Sequence, residues 1–135
     1  MDEWIRCREL IDELANDYAL FQQKSRLILR MAETTGITQC RATILEMQHD
    51  LNGKLLKYHE LIERLQYKNI EDRNVLESFY SYIFNGMNER IDEINSFLDI
   101  LERMIKEYIQ FSEDALDNKI LNDAIICIHK NTNGR

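Results

Sequence analysis

Apolar side chains recur at steps of three and four through the first part of the chain. Trp4, Cys7, Ile11, Leu14, Tyr18, Phe21, Ile28 and Ala32 form the ladder, and Ser25 is its one polar rung. This spacing draws a single apolar seam down one side of an α-helix, and a seam of that kind is buried against another helix. It constrains the architecture strongly and the chemistry hardly at all.

The rest of the sequence agrees with helix. The 135 residues include no proline and four glycines, and the length suits one domain. At 44% hydrophobic and 30% charged, the chain has enough apolar surface to build a core. No apolar run approaches the roughly 18–20 residues of a membrane span. The acidic, helical start Met1-Asp2-Glu3-Trp4 argues against a signal or transit peptide.

The seams predict an all-α, elongated antiparallel bundle, with three long helices, a shorter C-terminal helix and coiled-coil-like heptad packing. The first helix is expected over 2–33, with Gly36 ending it. A second over 37–67 carries Ile37, Cys40, Ile44, Met47, Leu51, Leu55, Tyr58, Ile62 and Leu65. Asn69 is a good N-cap for a third over 70–111, built on Leu76, Tyr80, Ile83, Met87, Ile91, Ile94, Leu98, Leu101, Ile105 and Tyr108. Ser112-Glu113-Asp114 reads as a fresh start, giving a fourth helix over 113–130. Residues 131–135 read as a polar tail.

The heptad slips twice. Leu51 to Leu55 and Met87 to Ile91 each repeat a four where a three is due, beside Asn52-Gly53 and Asn85-Gly86. Folding the second and third helices antiparallel brings the two Asn-Gly pairs to about one level, near Tyr18. A kink or widened layer is expected there. The alternative is that both pairs end helices, giving five or six short ones.

Little chemistry stands out. Glu46-Met47-Gln48-His49 has the Glu-x-x-His spacing of di-iron bundles. No second copy exists, since Leu56 and Ile126 precede His59 and His129 by three, and an inward Met47 turns His49 outward. Cys7 and Cys40 sit in seams and Cys127 in a buried-looking run, the pattern of core residues in a reducing compartment. Neither a phosphate loop nor a nucleophile–base pair is legible, so no catalytic, cofactor or metal residues are assigned. A net charge of −7 opposes broad phosphate-backbone binding. The small cluster Lys24, Arg26 and Arg30 is weak support for a lipid surface.

Surplus apolar surface is the remaining signal. Phe79, Tyr80, Tyr82, Ile83 and Phe84 circle most of the third helix, and Leu10, Leu20, Leu27 and Leu29 lie off the first seam. Residues 124–128 raise the same question. Trp4 reads as a seam residue closing one end of the bundle. Three narrow helices cannot easily bury all of this. The expectation is a non-enzymatic protein–protein interaction module, an oligomeric or adaptor subunit in the cytoplasm or nucleus. Its partners are proteins, in a homo- or hetero-oligomer, with no nucleic acid and no membrane span. Phe79, Tyr80, Tyr82, Phe84, Leu20 and Leu27 are the candidate interface. A ferritin-like metal enzyme is the alternative, and a binder of lipid surfaces or apolar ligands is a weaker one.

Overall fold

The computed structural model describes the backbone of residues 2–133, and the side chains of all of these except Glu33 and residues 128–133. It is all-helical among the described residues. Three helices follow one another: α1 (Glu3–Thr35), α2 (Ile37–Arg64) and α3 (Ile70–Asn133). By compactness the chain divides into Met1–Leu98 and Asp99–Arg135.

In the first unit, three helices pack together. The α1 N-terminus is capped by Asp2, whose carboxylate accepts the Trp4 N–H at 2.9 Å. At its other end Thr34 and Thr35 donate their hydroxyls to the Met31 carbonyl, extending the helix beyond residue 33. Gly36 alone joins α1 to α2, with φ 89° and ψ 149°. That backbone region is open essentially to glycine only.

α2 runs antiparallel to α1, as Lys54 bonded to Asp17 and Cys40 close to the Ile28 carbonyl show. It stops at Arg64, short of the expected 67. Leu65 turns extended while its N–H closes the last turn onto Leu61, and Tyr67 donates its hydroxyl to Ile62 O at 2.7 Å. These local bonds satisfy the helix end and release the chain into a short loop. Asn69 then caps α3 through a 3.1 Å bond from the Asp72 N–H.

The first part of α3 returns antiparallel to α2 and parallel to α1. Tyr58 of α2 is fully buried and donates its hydroxyl to Leu76 O at 2.8 Å. Arg90 of α3 donates to the Ser25 hydroxyl on α1 at 3.0 Å. The polar rung of the first seam is therefore completely buried and satisfied, because Ser25 also donates to Gln22 O. The core comprises Cys7, Leu10, Leu14, Tyr18, Phe21, Ile28 and Ala32 from α1, seven residues of α2 from Cys40 to Ile62, Leu65 just beyond its end, and Ile83, Met87, Ile91, Ile94 and Leu98 from α3.

The seam of α1 differs from expectation. Leu10 is buried and Ile11 only half-buried, so the α1 seam steps 3, 4, 4, 3 and slips at Leu14 as the others slip at Leu51 and Met87. Within residues 1–98 each of the three helices thus has one place where two steps of four follow one another. Both Asn-Gly pairs lie inside continuous helices. At Gly86 the Tyr18 ring occupies the space where a side chain would begin, whereas Gly53 faces open space. Of the two glycines, Tyr18 thus approaches only the one on α3.

The expected break at Ser112 does not occur, so three helices stand where four were expected. Ser112 and Asp114 are helix interior, and Gln110 bonds the Asp114 carboxylate at 3.1 Å along one helix face. Capping residues start a helix only where something stops the previous one, and no glycine or proline lies between Met87 and Asn133. The helix continues through Asn133, past the start of the expected polar tail, of which residues 134–135 lie outside those described.

Candidate functional site

The aromatic quartet of α3 splits into different roles. Phe79 is half-buried with its ring edge-on to Tyr58 at 5.8 Å, an extension of the core. Tyr80 stacks on Phe84 at 5.6 Å and meets the His59 ring at 5.0 Å. Tyr82 packs one edge on Tyr18 yet is 66% exposed. The helix thus uses Ile83 and Met87 inward, with the aromatics as a flank.

Leu20 and Leu27 are brought together on the opposite side of the bundle. They line two adjoining depressions between α1 and α2, of about 370 Å³ and 440 Å³, shared with Met47. Phe21, Ile28 and Leu51 lie at the floor, and Lys24, Glu46 and Asp50 form the rim. The Asp17 carboxylate holds Lys54 across this rim and raises the pKa of its ammonium, chiefly through their hydrogen bond.

The remaining candidates fall into place around the core. Trp4 packs edge-on against Tyr67 at 5.6 Å and closes that end of the bundle. Burial pushes up the Cys7 thiol and the Tyr18, Tyr58 and Tyr67 hydroxyls. A thiol raised in this way is a poor nucleophile. Glu46 and His49 are both exposed. Among the described residues no three His, Cys, Asp or Glu side chains gather in a geometry that could hold a metal ion. No helix among them is long and apolar enough to cross a membrane.

A long run of exposed apolar side chains lies elsewhere. In the second unit every side chain from Arg103 to Cys127 is exposed. Met104, Ile105, Tyr108, Ile109, Phe111, Leu116, Ile120, Leu121, Ile125 and Ile126 are all at least 43% open. Cys127 and the 124–127 run are exposed as well, contrary to the expectation of burial there. The spacing places the surplus at 79–84 because those aromatics circle most of the helix. The periodicity was visible, since Leu101, Ile105 and Leu116 already belonged to the seams. Which seam lacked a neighbour was not visible.

Comparison with protein-family models, with curated proteins and with solved structures gives no match.

Proposed function

We propose that this chain is a non-enzymatic protein–protein interaction module, an oligomeric or adaptor subunit whose contact surface lies on the second half of α3. The observation that carries this reading is the exposure of the apolar side chains from Met104 to Ile126. A helix with apolar residues on more than one side needs more than one neighbour, and a patch of this kind marks an interaction site. The heptad packing read in the sequence is, on this proposal, completed between chains. The α1–α2 depression around Leu20 and Leu27 is a second contact zone, and Tyr82 and Phe84 flank the bundle as a third.

Burial of Cys7 and Cys40 as free thiols supports a reducing, intracellular setting. The test is differential capture. Wild-type chain, an Ile109→Glu/Ile120→Glu variant and a Leu45→Glu control on exposed α2 surface are each immobilised and exposed to native lysate. Partners held by wild type and by the control, and lost from the double variant, support the reading. Identical profiles for all three would refute it.

A further inference from the structure

The junction of α1 and α2 carries an ordered charge pattern along an open groove. Resting on the interaction reading above, we propose that this groove takes an amphipathic helix of another protein, about three heptads long and parallel to α1. That helix is acidic in its first turns and basic in its last, with its apolar anchors in its C-terminal half.

Three depressions lie between the two helices. Beside the pair described above, of about 370 Å³ and 440 Å³, a third of about 180 Å³ is lined by Arg6, Leu10, Lys57, Glu60, Leu61 and Arg64. The lining positions recur every seven residues on both walls. Leu10, Asp17, Lys24 and Met31 form the row on α1, and Thr43, Asp50, Lys57 and Arg64 the row on α2. A step of seven nearly completes two turns and drifts by only about 20°, so each row keeps to one side of its helix. The three depressions are therefore one groove. From Leu10 to Met31 it runs about 32 Å, the length of a helix of three heptads. A trough with two helical walls accepts the side-chain ridge of another helix.

Charge is sorted along this groove. At the end where α1 begins and α2 finishes, three bases face one acid, Glu60. Arg6 there pairs with Glu9 at 3.3 Å, whereas the exposed Lys57 and Arg64 bond no carboxylate among the described residues. In the middle, Asp17 and Lys54 neutralise each other. At the far end, Glu46 and Asp50 face one base, Lys24. A helix that complements its own dipole carries acids in its first turn and bases in its last. Parallel to α1, it sets its acids on Lys57 and Arg64 and its bases on Glu46 and Asp50. Reversed, it sets like on like, which selects against that orientation.

Apolar contact is sorted too. Leu20, Leu27 and Met31 are 47–52% exposed, whereas Leu10 and Leu61 at the basic end are 2% and 4% exposed. The anchors therefore belong to the partner's C-terminal half. A second copy of this chain does not supply such a helix. The seams of α1 and α2 are used in their own core. The exposed part of α3 has Arg103 and Lys106 ahead of Glu113, Asp114 and Asp117, the opposite order.

Two synthetic peptides of three heptads test this on the full-length chain. Both carry leucine at the seam positions of the last two heptads on an alanine background. One has glutamates in its first heptad and lysines in its last, and the other exchanges these blocks. Fluorescence anisotropy at low salt gives about tenfold tighter binding of the acid-first peptide. Lys57→Glu/Arg64→Glu removes the preference, and adding Glu46→Lys/Asp50→Lys reverses it. Leu27→Glu weakens both peptides by about tenfold. All five side chains are exposed, so the thermal unfolding of each variant stays where it was. Binding of neither peptide, equal binding of both, or a preference that the charge variants leave unaltered overturns the proposal. So does a two-chain mass for wild type that Leu27→Glu reduces to one chain, since a second copy then fills the groove. Should the peptides fail while Ile109→Glu/Ile120→Glu still loses its lysate partners, the groove assignment falls and the interaction reading on α3 stands.

Discussion

Two glycines with the same preceding residue behave as opposites. Gly86 leaves room for the buried Tyr18 ring, and a methyl group there collides with the phenol, so Gly86→Ala is expected to destabilise the bundle by about 1–3 kcal/mol through overpacking. Gly53 faces open space inside α2, so Gly53→Ala is expected to stabilise by about 0.5–1 kcal/mol. Denaturant midpoints at unchanged slope measure both. Ser25 offers a second check at this scale. Its hydroxyl accepts from the partly buried Arg90, so Ser25→Ala should cost about 0.5–1.5 kcal/mol, although the sequence alone marks that residue as an imperfection in the seam.

Titration tests the buried phenols and the thiol. Cys7, Tyr18, Tyr58, Tyr67 and Lys54 all have folded pKa values raised above ordinary values of 9.0, 10.0 and 10.5. In each case the unfolded chain releases its proton first, so the folded state holds more protons and stability falls as pH rises. The contribution is complete below about pH 9 and declines above it. Removing the Tyr58 hydroxyl with Tyr58→Phe should make the alkaline loss shallower, measured as the unfolding midpoint between neutral and strongly alkaline pH. An unchanged slope would place the loss in other groups.

At the scale of elements, the sequence spoke clearly wherever a local rule had a single reading. Asp2, Gly36 and Asn69 each fix a helix end through one bond or one dihedral pair, and all three ends lie within two residues of expectation. It spoke less clearly where two rules competed. Leu10 and Ile11 are adjacent and equally apolar, and which one faces inward depends on where the heptad slips, a property of the neighbours. Ser112-Glu113-Asp114 is a good cap without a preceding break, and the continuous helix wins. A proline at that point is expected to end it: Ser112→Pro should remove ellipticity belonging to the residues nearby, at a local cost of about 3 kcal/mol. The same substitution should leave the cooperative unfolding of residues 1–98 in place. If that unfolding shifted with it, the division at Leu98 would be wrong.

For the molecule as a whole, the buried core ends at Leu98 while the apolar pattern does not. The all-helical class and the excess of apolar surface were both legible in the spacing. The location of the excess was not, because periodicity records that a face is greasy and not what covers it. Phe79 turned out to lean on Tyr58, whereas Ile105, Ile109, Leu116 and Ile120 stand open. If this account holds, amide hydrogen exchange across residues 101–120 measures it directly. With a partner bound these amides should be protected well beyond those of a lone helix, and the Ile109→Glu/Ile120→Glu variant should lack that protection. Exchange as fast as that of an isolated helix, unchanged by the partner and by those two glutamates, would contradict it.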